Sequence, residues 1–232
     1  MATSLHILSG GAAQGLVEQL RADFEARHGC RLEGTFGAVG LMKEKLLAGA
    51  PCDLMILTQA LVAELESLGR VVPGSATALG VVPTGLAVKA GAPAAQVTTP
   101  AQLQALLHGA GAVYFPDPAK ATAGIHFMKV LTALGLAAPL AGRLRTFPNG
   151  AAAMAALAQA PEAGAVGCTQ VTEILFTQGV TLTGLLPAPH GLATTYTGAV
   201  GAQAKEPELA RALLEALAAP EAAAMRKACG FD

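Results

Sequence analysis

Small and polar residues stand at four places where predicted strands give way to predicted helices. The four segments are Ser9-Gly10-Gly11-Ala12, Gly37-Ala38-Val39-Gly40, Lys120-Ala121-Thr122-Ala123-Gly124 and Cys168-Thr169-Gln170. Small side chains let a ligand approach the backbone, and a helix N-terminus carries unpaired N–H donors with a partial positive charge. The pattern favours a shared site for a small anion, although glycines also occur in ordinary strand–helix turns.

Five polar residues near these turns are candidates for chemistry or for ligand contact. His126 lies one turn into the helix behind Thr122, where it would be a ligand contact, a proton carrier or a structural histidine. Lys120 precedes the same helix and is either a functional residue or only a solvated surface charge. Cys168 is predicted to end a strand, where it is either a buried thiol or a thiol whose pKa a helix N-terminus lowers. Asn149 is expected to open a helix and contact the ligand, and Tyr196 either contacts the ligand or packs at a hinge.

Several other chemistries are excluded by motif and composition. The chain has no GxxxxGK[ST], no GxGxxG and no GxSxG, so phosphate-loop, dinucleotide and serine-hydrolase sites are not indicated. Only 13% of the residues are charged, the net charge is −1 and tryptophan is absent, which argues against nucleic acid as a partner. No apolar run reaches the ~18 residues of a membrane span. The cysteines form no CxxC pair, and we expect no metal and no cofactor. Their even number permits two disulfides, and four scattered thiols are the alternative that we favour.

Strand and helix signals alternate along the chain and include a buried strand at Asp53–Leu57, helix starts at Thr99-Pro100 and Pro207, and a helix from about Thr169. They predict the α/β class, with mainly parallel sheets flanked by helices. The rhythm breaks near Gly80–Val88 and again near Thr194–Val200, two extended stretches that would cross between lobes. We therefore expect one lobe from residues 1–83 plus 195–232 and an inserted second lobe from residues 84–194. Met1–Ser4 leads straight into a strand without the pattern of a secretory leader. This favours a cytoplasmic protein, or a periplasmic one if a leader has been removed. We separately expect a monomer.

Three short pieces, in this order and spacing, resemble the molybdate-binding proteins of ABC importers, which belong to the type II periplasmic binding superfamily. The pieces are Ala48-Gly49-Ala50-Pro51-Cys52-Asp53-Leu54, Asp117-Pro118 with Ala123-Gly124-Ile125, and Ala219-Pro220-Glu221-Ala222 with Cys229-Gly230-Phe231. The resemblance spans nearly the whole chain. It implies two α/β lobes that hold an anion in the cleft between them, with an ABC permease as partner only if the protein is exported.

The departures from that family bear on the ligand. By the resemblance, two serines that hold the oxyanion fall at Ala12 and within Gly37–Gly40, so both hydroxyls are missing, and a family tyrosine falls near Gly167. Molybdate or tungstate is then the less favoured ligand, and an organic di- or tricarboxylate the more favoured one. Ser9, Thr122, His126, Thr169 and Tyr196 would replace the missing hydroxyls.

A branch with this scaffold resembles the aconitate isomerases, which move a proton on a tricarboxylate. Such an enzyme needs anion clamps and one proton carrier near the carbon acid. His126 is the first candidate for that role, followed by Lys120 and Cys168. A third alternative is an interaction protein that signals ligand binding to a partner, for which the sequence offers no motif.

Overall fold

The computed structural model describes residues 3–93 and 96–232. The chain divides into two compact units. Unit 1 comprises the described chain up to Val82 together with Thr194–Asp232, and unit 2 comprises Pro83–Ala193. The boundaries expected from the sequence, 83/84 and 194/195, each lie one residue from those of the structure.

Strands and helices alternate through most of the described residues. In chain order the strands are β1 (Thr3–Gly10), β2 (Cys30–Gly37), β3 (Leu54–Thr58), β4 (Thr77–Lys89), β5 (Val113–Pro116), β6 (Leu144–Phe147), β7 (Val166–Gln170), β8 (Val180–Leu185) and β9 (Ala193–Val200). The α-helices are α1 (Gln14–His28), α2 (Val39–Leu47), α3 (Gln59–Ser67), α4 (Pro100–Gly109), α5 (Thr122–Ala133), α6 (Gly150–Ala158), α7 (Val171–Phe176), α8 (Pro207–Ala218) and α9 (Ala223–Ala228). The α/β class predicted from the sequence is confirmed.

In unit 1 the strands lie in the order β2-β1-β3-β9. β1 runs parallel to β2 and β3, whereas β9 runs antiparallel to β3. Parallel neighbours need long connections, which α1 and α2 supply. Leu54–Leu57 of β3 is fully buried, as expected for a central strand that is covered on both faces.

The C-terminal helix α8 shows how local sequence sets an element of unit 1. Pro207 occupies its first position, as the sequence predicts, because proline has no N–H to lose there and its φ suits a helix. The helix buries Ala210, Leu213, Leu214 and Leu217, which recur at helical spacing on one face. This apolar face belongs to the same hydrophobic cluster as β1 and β3.

Asp53, in the turn before β3, has a carboxylate that connects separate segments of unit 1. It is 2% exposed, and its Oδ2 accepts hydrogen bonds from the backbone N–H and the ring Nδ1 of His6, at 2.7 and 3.3 Å. Its Oδ1 accepts from the N–H groups of Lys205 and Glu206, at 2.6 and 3.1 Å. Burial raises its pKa, but these hydrogen bonds outweigh burial, and the pKa of Asp53 is lowered. The carboxylate therefore ties β1 and β3 to the segment that opens α8.

In unit 2 the strands lie in the order β4-β7-β5-β6, with β8 paired to β4. β5 is parallel to β6 and β7, while β4 is antiparallel to β7 and β8. The predicted start of α4 is confirmed, since Thr99 accepts a hydrogen bond from the N–H of Gln102 in a capping box and Pro100 is the first helical residue. Phe115 of β5 and Phe127 of α5 meet edge to face at 5.4 Å in the core.

One predicted boundary is wrong. The sequence indicated a strand that ends at Cys168 and a helix from about Thr169, but β7 continues to Gln170 and α7 begins at Val171. The extension follows from sheet pairing, because Thr169 and Gln170 lie opposite Gly85 and Thr84 of β4. Local sequence carries no signal for that long-range partner.

Candidate functional site

The turn after β1 is tightly packed. Ser9 is fully buried, and its hydroxyl donates a hydrogen bond to the carbonyl of Gly10 at 2.9 Å. Gly11–Ala13 forms a short 3-10 helix in which Ala12 is 2% exposed. The Ser9 hydroxyl proton is therefore used within the strand end, and the turn presents backbone rather than side-chain groups.

Three separately predicted segments of unit 1 converge on Gly10. A Cβ built at Gly10 would lie 2.8 Å from Cγ1 of Val39 and 3.1 Å from Cε1 of Tyr196. Tyr196 is 2% exposed, and its ring meets that of Phe231 edge to face at 6.4 Å. The turn after β1, the start of α2 and strand β9 thus form one tightly packed group, which only glycine at position 10 permits without displacing its neighbours.

The N-terminus of α2 has no side-chain cap. Its N-cap residue, Ala38, has the extended conformation typical of that position, with φ −60° and ψ 134°, but no side chain accepts from the first turn. Ala38 and Val39 are both buried. The first turn therefore offers backbone N–H donors, with the partial positive charge of the helix end, at the place where the sequence predicted an anion site.

The N-terminus of α5 in unit 2 has the same character. Ala121 is its extended N-cap residue, and no side chain caps the helix. Asp117 shapes the preceding turn, because its Oδ1 accepts hydrogen bonds from the N–H groups of Ala119 and Lys120 at 2.7 and 3.1 Å. A Cβ at Gly124 would overlap the carbonyls of Pro116 and Asp117, so glycine lets the helix lie directly on the strand end.

His126 lies on α5 and is partly buried. Its Nε2 is 2.7 Å from the carbonyl oxygen of His190. A carbonyl oxygen only accepts, so Nε2 carries a proton, and Nδ1 of the neutral ring is left as the acceptor. The fixed tautomer is a property that a proton carrier requires, and a structural histidine can share it.

The other two candidates for proton transfer differ in their surroundings. Lys120 is exposed in the turn before α5. Cys168 lies within β7 and is 0% exposed, and burial raises the pKa of its thiol well above the ordinary value. A helix N-terminus would instead lower the pKa of a thiol. Cys168 is not at one, because β7 continues for two more residues and α7 begins only at Val171.

Asn149 and Thr169 belong to an internal hydrogen-bond network that also contains Glu173 of α7. Oδ1 of Asn149 accepts from the N–H of Ala152 at 2.8 Å and so caps α6. The Thr169 hydroxyl donates to Oε2 of Glu173 at 2.6 Å. Burial raises the pKa of Glu173, opposed by hydrogen bonds from Thr169 and from backbone N–H groups. Sequence reasoning missed Glu173, although it is the single charged residue between Gly164 and Gly179.

A separate concavity of about 270 Å³ lies within unit 1, at the end of the sheet where the chain enters β3. His6, Asp53, Arg70 and Lys205 are among the residues that line it. It contains none of the residues predicted to bind ligand, which follow the other ends of the strands. The carboxylate of Asp53 there is already satisfied by hydrogen bonds.

Over residues 3–93 and 96–232, no helix is long and apolar enough to cross a membrane. In the same residues, no three histidine, cysteine or acidic side chains cluster in a way that could hold a metal ion. The cysteines there, Cys30, Cys52, Cys168 and Cys229, are all free thiols.

Comparison with known proteins identifies the family. The sequence profile of the bacterial extracellular solute-binding proteins matches residues 5–232. The chain belongs to this family. Among solved structures, the Azotobacter vinelandii periplasmic molybdate-binding protein aligns with a TM-score of 0.81 at 20% identity, covering 98% of each chain. The sulfate-binding protein SubI of Mycobacterium tuberculosis aligns with a TM-score of 0.76 at 16% identity. That alignment covers 99% of this chain and 86% of the SubI chain. The solute-binding protein thus has the type II periplasmic-binding fold that the sequence resemblance implied.

A curated relative adds an enzyme to this list. This chain is 26% identical over 227 residues to an aconitate isomerase of a Pseudomonas species. The alignment covers 95% of this chain and 84% of the relative. The isomerase branch suggested by the sequence is therefore represented among its relatives.

Proposed function

We propose that the protein binds a small organic anion with two or three carboxylates. The observation that carries the proposal is that α2 and α5 begin without a side-chain cap, at the small-residue turns predicted to hold an anion. Helix N-termini of this kind bind carboxylates through backbone N–H groups. The relative named aconitate isomerase, which acts on a tricarboxylate, supports the choice of ligand class.

Inorganic oxyanions are the less favoured ligands. The resemblance to molybdate-binding proteins places two ligand serines at Ala12 and within Gly37–Gly40, where this chain has no hydroxyl. A hydrogen bond to a charged group contributes about 1.5–3 kcal/mol. The absence of two donors therefore substantially weakens the binding of a tetrahedral oxyanion.

The first experiment is a thermal-shift screen followed by calorimetry. A ligand that binds only the folded protein raises Tm by mass action. At a hundred times its Kd, the ligand adds about 2.7 kcal/mol to the free energy of unfolding. We expect cis- and trans-aconitate, citrate and related acids to raise Tm, and monocarboxylates and molybdate to raise it much less. A panel in which molybdate or sulfate gives the largest shift would overturn the proposed ligand class.

Isomerase activity is the second candidate function, and the geometry of His126 is the observation that favours it. With Nε2–H held by His190, Nδ1 is available to take a proton. In the reaction, a base removes a proton from a methylene carbon beside a carboxylate, the double bond shifts by one position, and a proton returns to the far end of the allylic system. No oxidant, reductant or cofactor is needed for this exchange.

Proton exchange with solvent separates an isomerase from a receptor. With trans-aconitate in deuterated water, an isomerase forms the cis isomer and incorporates deuterium, which NMR detects. A receptor returns the ligand unchanged. Binding without deuterium incorporation would remove the isomerase candidate and leave the binding function intact.

A further inference from the structure

The N-terminus of α6 differs from those of α2 and α5 because its donors are already used. Oδ1 of Asn149 accepts from Ala152, and the Asn149 carbonyl accepts from Ala153 at 3.1 Å. The N–H groups of Gly150 and Ala151 both donate to the carboxylate of Glu173. Three of the N–H donors that a helix normally leaves open at this end, those of Gly150, Ala151 and Ala152, are therefore satisfied within unit 2.

Glu173 is held firmly in this position. It is 6% exposed, and besides the two N–H groups of α6 it accepts hydrogen bonds from the Thr169 hydroxyl, at 2.6 Å, and from the N–H of Gln170. A Cβ at Gly150 would overlap both the Glu173 carboxylate and the Thr169 hydroxyl. Glycine at position 150 thus gives the carboxylate its place at the start of the helix.

A carboxylate in this position makes the contacts that a bound anion would make. The partial positive charge of the helix N-terminus favours it, and backbone N–H groups supply its hydrogen bonds. Burial raises the pKa of Glu173 above its ordinary value, and the four hydrogen bonds oppose that shift without reversing it.

We infer that Glu173 is a built-in anion that occupies the N-terminus of α6 and excludes the carboxylates of the solute from it. The exclusion rests on the proposed function, whereas the occupation of the helix end stands by itself. In unit 2 the solute is left with the uncapped N-terminus of α5. Glu173 acts as a specificity-determining residue because it fixes which helix end is open to the solute.

Replacement of the side chain by a free anion tests the inference. Glu173→Ala removes the Cγ atom and the carboxylate, which together have the shape of acetate, and leaves the donors of Gly150, Ala151, Gln170 and Thr169 exposed to a cavity. We expect Glu173→Ala to have a lower Tm than the wild type. Acetate at about ten times its Kd should restore about 3–5 °C, whereas chloride at equal ionic strength should not.

Glu162→Ala is the matched control. Glu162 also accepts a hydrogen bond, from the Tyr114 hydroxyl at 2.8 Å, but it is not enclosed at a helix N-terminus. Acetate should raise the Tm of Glu162→Ala no more than that of the wild type. An equal acetate response in Glu173→Ala, Glu162→Ala and wild type would overturn the inference.

A second variant covers the case in which Glu173→Ala does not fold. Recovery of its folding by acetate, but not by chloride, would then be the expected result. Glu173→Gln keeps one acceptor oxygen and fills the cavity, so we expect a lowered Tm with no acetate response. Wild-type stability of Glu173→Gln, together with no recovery of the alanine variant, would overturn the inference. These measurements use acetate alone, so their failure is distinct from a failure to bind di- or tricarboxylates.

Discussion

Substitution of Ala121 by aspartate or asparagine tests the role of the α5 N-terminus directly. Ala121 has the extended conformation of an N-cap residue, with φ −100° and ψ 129°, and it has no oxygen with which to cap the helix. Asp or Asn at this position accepts a hydrogen bond from the N–H of the second or third helical residue. Ala121→Asn therefore occupies donors that the ligand is proposed to use, and Ala121→Asp also adds a negative charge.

The expected magnitudes follow from the contacts involved. A new N-cap contributes about 0.5–2 kcal/mol to helix stability. Fitting a larger side chain at position 121, which is 6% exposed, opposes this gain. We therefore expect the free variant to keep the stability of the wild type or to gain slightly. Loss of one N–H donor to a carboxylate costs about 1.5–3 kcal/mol. This corresponds to a loss of affinity of about 10–10²-fold, since 1.4 kcal/mol is tenfold. Ala121→Asp should lie at the upper end.

Isothermal titration calorimetry of a di- or tricarboxylate, with thermal unfolding of the free variants, is the assay. Asn149→Ala is the matched control, because it removes a cap from α6 and should cost about 1 kcal/mol of stability. Its ligand affinity should stay within about twofold of wild type if α6 is closed to ligand. Wild-type affinity in a folded Ala121→Asp variant would show that the α5 N-terminus does not bind the ligand. A large loss of affinity in Asn149→Ala would show that α6 is open to the ligand.

Three further predictions concern other parts of the molecule. Asp53→Asn should lower the free energy of unfolding by about 2–4 kcal/mol at neutral pH, because it disrupts hydrogen bonds to a buried charge. Since the pKa of Asp53 is lowered by folding, that contribution is present above the unfolded pKa and is lost as pH falls through the folded value, which urea unfolding between pH 7 and 3 measures. If the protein is an isomerase, His126→Ala should lose about 10²–10⁴-fold in rate but retain binding, whereas the exposed His108→Ala should change neither. Cys168 should resist thiol reagents in the native state while the half-buried Cys229 reacts, and rapid labelling of Cys168 would contradict its burial.

Much of the fold follows from local signals in the sequence. Thr99-Pro100 and Pro207 marked helix starts because capping and the proline ring act within a few residues, and the structure has helices there. The buried run Leu54–Leu57 marked a strand because both faces of a parallel sheet exclude water. The end of β7 was misplaced because the partner that extends it, β4, lies about 85 residues earlier in the chain.

The site was less accessible to sequence reasoning. The turns at Gly10 and Val39 were identified by residue type, but their convergence with Tyr196 depends on the pairing of β3 with β9. The hydroxyls of Ser9 and Thr169 were considered for the ligand, whereas the structure gives both of them internal acceptors. Hydroxyl identity can be read from a sequence, but the group that it faces cannot.

The most direct measurement is a calorimetric titration of the purified protein with trans-aconitate and, separately, with molybdate. We expect the tricarboxylate to bind and molybdate to bind at least about 10²-fold more weakly, because two oxyanion hydroxyls are missing. Tight binding of molybdate with no heat from any di- or tricarboxylate would contradict this expectation.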